Sequence, residues 1–231
     1  MIIRGLQKCT LLDYPGKVAC TIFTEGCNFA CPFCQNASLV RPGAAAAPIA
    51  EDDVLSFLQK RRGLLDGVCI SGGEPLLQAD LASFLERIRS LGFAVKLDTN
   101  GSLPDRLKDV VRAGLVDQVA MDLKNAPERY AETIGRSAFD LSPILESVAF
   151  LRTLSGRYEF RTTVVRELHT VDDIASIARW ISGAERYFLQ SFVDSGDVLT
   201  AGLHPHSSEV LHAMLGAAHD FCPSAALRGV E

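Results

Sequence analysis

Cys27, Cys31 and Cys34 stand at C-x3-C-x2-C spacing within Glu25-Gly26-Cys27-Asn28-Phe29-Ala30-Cys31-Pro32-Phe33-Cys34-Gln35-Asn36. Three thiolates so close in the chain suit a soft metal centre. A structural zinc site takes four protein ligands, and no fourth Cys or His lies nearby, so zinc would need a distant residue to complete it. A [4Fe-4S] cluster has four iron corners, and three cysteines leave one of them open to another ligand. The spacing therefore favours a cluster over zinc, and either over three unrelated thiols.

Other polar residues fall where strands are expected to end. Gly72-Gly73-Glu74-Pro75 sets side-chain-free backbone beside a carboxylate, which lets a ligand approach the main chain and offers an ammonium a partner. The same residues suit a plain turn between strand and helix. Asp98, in Leu97-Asp98-Thr99-Asn100-Gly101, and Asp122, in Met121-Asp122-Leu123-Lys124, each need a partner if buried. The alternative is Asp98 as a turn or cap before Gly101 and Asp122 with Lys124 as a surface pair. Arg161 faces either the interior of the fold, toward a ligand, or a salt-bridge partner.

Positioning these residues falls to alternating strands and helices. Short β-rich runs predict strands over 18–24, 67–71, 94–98, 118–122, 159–165 and 186–191. Helical apolar spacing predicts helices over 51–62, 81–91, 103–112, 142–154, 171–181 and about 207–219, with Asp80 capping the second and Gly92 ending it. Successive βα units imply an α/β fold with a parallel sheet, doubly wound or barrel-like, whose ligands gather at the C-terminal ends of the strands. Residues 41–50, with Pro42, Gly43 and Pro48, read as a linker between the cysteine loop and the first helix.

Composition narrows the class. The 231 residues carry 23 basic and 28 acidic side chains, a net charge of -5, and no basic block longer than Lys60-Arg61-Arg62, so nucleic acid is not an expected partner. Hydrophobic content of 48% suits one domain over 1–231. Apolar runs fall short of a membrane span, and Met1-Ile2-Ile3-Arg4-Gly5 lacks the start of a signal peptide, so the expected location is the cytoplasm. Seven cysteines without a secretion signal read as ligands and buried thiols.

The cysteine spacing, with Phe33 before the last cysteine, resembles the signature of the radical S-adenosylmethionine (SAM) superfamily. That resemblance implies a [4Fe-4S] cluster on Cys27, Cys31 and Cys34 whose open iron is chelated by SAM, an electron from the reduced cluster then breaking the C5′–S bond to leave methionine and a 5′-deoxyadenosyl radical. Ser71 to Pro75 resembles the superfamily's Gly-Gly-Glu motif, which implies that Gly72, Gly73 and Glu74 hold the methionine amino group. In activating enzymes of glycyl-radical enzymes two Asp, a Thr and a main-chain carbonyl ring a monovalent cation. By that resemblance Asp98, Thr99 and Asp122 are SAM or cation ligands, with Asn100 beside them, Lys124 adds charge, and Arg161 points inward. Asn36 matches the family's Cys-His-Asn pattern, but Gln35 stands where His is frequent, and its role is open.

The likeness extends to residues 13–17 (DYPGK), 60–75 (KRRGLLDGVCISGGEP), 95–102 (VKLDTNGS) and 161–170 (RTTVVRELHT), which look like the activating proteins of anaerobic ribonucleoside-triphosphate reductase. This implies a partial (β/α)6 barrel and the installation of a glycyl radical on a partner enzyme, with flavodoxin or ferredoxin as electron donor. About forty residues separate Cys34 from Glu74, too few for a ferredoxin-like insert. A small-molecule radical SAM enzyme such as 7-carboxy-7-deazaguanine synthase is the alternative within the superfamily. A non-enzymatic iron–sulfur or zinc module is the alternative outside it, and leaves Gly72, Gly73, Glu74 and the strand-end aspartates unexplained.

Other residues earn no site. Cys69 sits in the apolar run Val68-Cys69-Ile70, and Cys9, Cys20 and Cys222 lack spacing partners, so all four read as structural. His204, His206, His212 and His219 read as surface or capping residues, and Trp180 as packing.

Overall fold

The computed structural model describes residues 1–40 and 47–229. The expected linker over 41–50 lies mostly outside them, except that Ile49 bridges to Ile3. In chain order the elements are β1 (Ile3–Thr10), β2 (Ala19–Thr24), α1 (Ala37–Val40), α2 (Glu51–Lys60), β3 (Gly67–Gly72), α3 (Leu81–Ser90), β4 (Ala94–Thr99), α4 (Pro104–Arg112), β5 (Gln118–Asp122), α5 (Tyr130–Thr133), α6 (Ser142–Leu151), β6 (Tyr158–Val164), α7 (Val171–Trp180), β7 (Tyr187–Ser191), α8 (Ser208–His219) and β8 (Ala226–Arg228). The fold is α/β, as expected, with its strands paired mostly in parallel. All six expected strands form, and β1 and β8 are additional. No helix of the described residues is long and apolar enough to cross a membrane.

The chain forms two compact units, residues 1–28 with 38–119, and residues 29–37 with 120 onward. In the first, β1 runs antiparallel to β2, and β2, β3 and β4 are parallel neighbours. Ala19, Cys20, Ile22, Val68, Cys69 and Ile70 are fully buried, as expected of parallel strands covered on both faces. Helix α3 buries Leu81, Phe84, Leu85 and Ile88, and Gly92 in the left-handed region (φ 90°) follows its end. Asp80, expected to cap α3, makes no side-chain cap bond; its carboxylate is drawn to the amino group of Met1 instead. Tyr14, in the DYPGK run, lies against Gly67, where an added Cβ would sit 2.9 Å from its ring.

In the second unit β6, β7 and β8 are parallel, with Arg161 opposite Phe188 and Gln190 opposite Arg228. The short strand β8 is fastened by Arg228, which makes a two-pronged pair with the buried Glu159 (2.9 and 3.0 Å) and lies 3.4 Å from the Phe188 ring centroid. Helix α7 begins on a capping box, in which Thr170 accepts from the Asp173 N–H (3.2 Å) while the Asp173 carboxylate accepts from the Thr170 N–H (2.8 Å). Asp173 also pairs with Arg129 at 2.7 Å, which ties the helix start to the segment before α5.

Thr170→Ala removes that cap. The expected cost is about 1 kcal/mol, a fall of about 2–4 °C in Tm. Thermal unfolding by circular dichroism checks it, and an unchanged Tm would mean the box contributes nothing net.

Candidate active site

In the first unit the chemistry centres on Glu74. Its carboxylate is completely buried and accepts from the Leu76 N–H (3.1 Å), the Thr99 hydroxyl (2.9 Å) and the Asn100 N–H (2.7 Å). Glu74 thereby fixes the end of β4 and the turn after it. The main chain around it holds the start of the cysteine loop, with the Gly73 N–H on the Thr24 carbonyl (3.0 Å) and the Glu74 N–H on the Gly26 carbonyl (2.8 Å). Both glycines are forced by this approach. A Cβ on Gly73 would lie 1.9 Å from the Gly26 oxygen, and one on Gly72, at φ 116°, would lie 2.3 Å from the Thr24 nitrogen. The missing side chains thus make room for the protein's own backbone, a reason the sequence reading did not anticipate.

Cys27 is half-buried and in no disulfide, and the Asn100 amide reaches toward its sulfur at 3.8 Å. The same amide donates to the Asn28 carbonyl oxygen (2.9 Å), while Ser102 donates to the Asn100 carbonyl oxygen (2.6 Å) and accepts from the Asn28 amide (2.8 Å). Asn100 therefore couples the turn that Glu74 holds to the first cysteine. Asp98, two residues before, accepts from Ser71 (3.1 Å) and pairs with the ammonium of Lys96, which is almost completely buried. At the turn that follows, the Gly101 N–H donates to the Thr99 hydroxyl at 3.1 Å.

The second unit carries Cys31, which is buried, and Cys34, which is half-buried; the Cys34 N–H donates to the Cys31 carbonyl (3.0 Å) and closes a tight turn. Phe33 is buried between them, with the Lys124 ammonium 6.0 Å from its ring centroid. Asn36 is half-buried. Gln35 acquires a role here, donating to the Val193 carbonyl (2.7 Å) and accepting from Ser195 (3.3 Å), so it fastens the loop after β7 to the cysteine turn. Asp122, at the end of β5, is gripped from both sides, by the Arg161 Nε on Oδ1 (2.9 Å) and the Lys124 Nζ on Oδ2 (2.9 Å). Burial works to raise its carboxyl pKa, but Arg161 and Lys124 outweigh burial and hold it at about 2. Lys124 is raised in turn: burial opposes its charge, and Asp122 and Cys31 favour it more.

His169 was not singled out from the sequence, yet it supports this unit. It is 1% exposed, its Nδ1 accepts from the Val165 N–H (3.1 Å), and its Nε2 donates to the Lys124 carbonyl (2.8 Å), the pattern of a neutral ring. Its ring meets Phe33 edge-on at 6.1 Å. Lys96 and Asn28 were missed as well. Lys96 stands two residues before Asp98 on a strand, and so on the same face, a legible signal; His169 and Asn28 announce themselves only through partners distant in sequence. The remaining histidines bond separately, His204 to Glu167 (2.9 Å), His206 to the His169 carbonyl (2.9 Å), His212 to the Ser208 carbonyl (2.7 Å) and His219 to the Ala225 carbonyl (2.9 Å). Cys20 and Cys222 are buried thiols pushed up by burial, Cys20 to about 12, and Cys69 is buried beside Lys96 (4.0 Å); Cys9, read as structural, is exposed.

Among the described residues no three His, Cys, Asp or Glu side chains form a ready-made metal cage. The loop offers instead three undisulfided thiols, one with an amide at its sulfur, a donor set that fits an iron–sulfur cluster in chemistry. The Glu74 carboxylate is completely buried and both of its oxygens accept from donors of the chain itself.

Two outcomes follow from this geometry. Gly73→Ala must push two backbone segments apart, at a cost of at least about 1–3 kcal/mol; urea unfolding and iron content per chain should both fall, and a variant of normal stability and iron loading would contradict the close approach. His169 is held neutral by burial, its pKa below the ordinary value despite hydrogen bonds that oppose this. Because only the unfolded chain readily takes the proton, this contribution is complete above about pH 6.5 and declines below it by up to about 1.4 kcal/mol per pH unit. The urea midpoint of the metal-free protein should therefore drop between pH 7.5 and 5.5, and His169→Gln should flatten that drop.

Comparison with known proteins places the chain. The model of the radical SAM superfamily matches residues 21–187. MJ1227 of Methanocaldococcus jannaschii, named as a glycyl-radical enzyme activating enzyme, is 31% identical over 198 residues, 83% of this chain and 80% of that protein. The pyruvate formate-lyase-activating enzyme of Listeria monocytogenes is 26% identical over 160 residues, 65% of this chain and 63% of that enzyme. Among solved structures, Streptococcus suis SuiB bound to the precursor peptide SuiA superposes with a TM-score of 0.72 at 13% identity over 91% of this chain, which spans about half (48%) of the SuiB chain; this likeness concerns the fold. The chain belongs to the radical SAM superfamily.

Proposed function

We propose that this protein is a glycyl-radical-enzyme activating enzyme that cleaves SAM reductively, and that its partner is the anaerobic (class III) ribonucleotide reductase. The observation that carries the activating reading is the 31% identity to MJ1227 over 83% of this chain. The choice of reductase rests on the runs at 13–17, 60–75, 95–102 and 161–170. Residues 1–231 act in this reading as one radical SAM domain, in the cytoplasm, reduced by flavodoxin or ferredoxin and without a nucleic-acid or membrane partner.

Cys27, Cys31 and Cys34 would hold a [4Fe-4S] cluster, and Gly72, Gly73 and Glu74 the methionine amino group of SAM. When bound, the cluster would supply the electron for reductive cleavage of SAM, the chemistry that removal of a glycine Cα hydrogen atom from the partner would draw on. The chain's own share is order and charge. Asn100 steadies the Cys27 sulfur, Phe33 and Asn36 flank Cys34, and Lys124, Arg161 and Asp122 present a fixed charge cluster with one net positive charge. That surplus suits the SAM carboxylate. A monovalent cation at Asp98, Thr99 and Asp122 would share Asp98 with Lys96, and Asp122 with Arg161 and Lys124.

Anaerobic reconstitution with iron and sulfide, reduction and addition of SAM should yield 5′-deoxyadenosine, and Cys27→Ala, Cys31→Ala and Cys34→Ala should abolish it. With the reductase present, a glycyl-radical doublet should appear by EPR. Cleavage without a doublet removes the assigned partner; no cleavage, with zinc bound in place of iron, removes the enzyme reading.

A further inference from the structure

A lysine is seldom fully buried unless its charge is paired, and Lys96 on β4 is 1% exposed. The strand has two unlike faces: Val95 and Leu97 are apolar and fully buried, and Lys96 and Asp98 alternate with them. Parallel register sets Cys69 of β3 opposite Lys96, and Ser71 follows Cys69 on the same face two residues on. These four side chains are connected. The Lys96 ammonium pairs with Asp98 Oδ1 and donates toward the Cys69 sulfur (4.0 Å), while Ser71 donates to Asp98 Oδ2 (3.1 Å).

A methionine or leucine would fill the space of the Lys96 stem without a charge to bury. What the ammonium adds is one positive charge fixed against Asp98 at the end of β4. Thr99, next in the chain, is committed too: its hydroxyl donates to Glu74 (2.9 Å) and accepts from the Gly101 N–H (3.1 Å). Asp98 and Thr99 are the two first-unit residues at which the resemblance places a monovalent cation. A sodium or potassium ion there would have to share the Asp98 carboxylate with an ammonium that is tethered and buried, and that would be left unpaired if it gave way.

We infer that the Lys96 ammonium is a built-in counter-ion that takes the place of a monovalent cation at Asp98, so that the protein needs no sodium or potassium there. The position of that cation belongs to the activating reading of the proposed function, and the inference rests on it. Lys96 is in this sense a positioning residue: it holds the Asp98 carboxylate, and a charge carried on the chain cannot be lost by dilution or exchange as a mobile ion can.

The test compares the wild type with Lys96→Met, which keeps the stem and removes the ammonium, in NaCl, KCl and choline chloride at equal ionic strength. The wild type should unfold at the same temperature in all three salts and show no saturable site by sodium NMR. In Lys96→Met a mobile cation should take up the vacated side of Asp98. Sodium or potassium at about ten times its dissociation constant should then raise the Tm of the variant by about 2–4 °C over choline, with saturable broadening of the sodium line. After anaerobic reconstitution, 5′-deoxyadenosine formation should be indifferent to the salt in the wild type and depend on sodium or potassium in the variant. Wild type and variant that respond alike, whether both take up a cation or neither does, overturn the inference. If the variant folds in none of the salts, the wild type decides alone: a saturable sodium site overturns the inference, and its absence upholds it. The unfolding and NMR measurements need no cluster, so the inference can fail while SAM cleavage stands, and a failure to cleave SAM removes the enzyme reading without moving them.

Discussion

A buried carboxylate needs donors, and Glu74 meets that need by recruiting the Leu76 N–H, the Thr99 hydroxyl and the Asn100 N–H, which makes it the fixed point of the first unit's chemistry. Because its own N–H and that of Gly73 bond the main chain at Gly26 and Thr24, the same few residues determine where Cys27 begins its loop. Asn100 closes the circuit by offering its amide to the Cys27 sulfur. Three strand ends are therefore held to one another, β3 to β2 by main-chain bonds and β3 to β4 through the Glu74 carboxylate, and the main-chain members of this arrangement cannot rotate away.

The second unit solves a different problem with charge. Asp122, Arg161 and Lys124 lie together in a partly dry setting, where unpaired ions would be costly, and mutual pairing keeps all three ionised. His169 contributes by being neutral, which lets it donate to the Lys124 carbonyl and accept from Val165 without adding a fourth charge. Arg161 had been assigned to either a ligand or a salt bridge; the pair with Asp122 shows the bridge, and a pre-paired arginine is also one already oriented for an anion.

Much of this was legible in sequence wherever the determining contacts are local. The cysteine spacing, the Gly-Gly-Glu turn and the apolar runs of β2 to β7 each declare themselves within a few residues. β1 escaped because Arg4, Gly5, Gln7 and Lys8 interrupt any alternation, a latitude open to an antiparallel edge strand with one neighbour, and β8 because three residues carry no period. The bonds from Glu74 to Asn100 and from His169 to Lys124 span 26 and 45 positions, so nothing short of the fold discloses them. The glycines illustrate the limit best. Their presence pointed to a close approach, but composition could not tell a ligand's approach from that of the protein's own chain.

The hydrogen bonds that shape the start of the cysteine loop reach back from residues 73 and 74 to residues 24 and 26. Contacts of such separation form only when the strands that carry them have assembled. A zinc finger gathers its ligands around the metal as it folds; here the Cys27 end of the loop takes its shape from β3 instead. The placement of the first cysteine is therefore a property of the sheet, and a metal centre on this loop would meet one end already shaped for it.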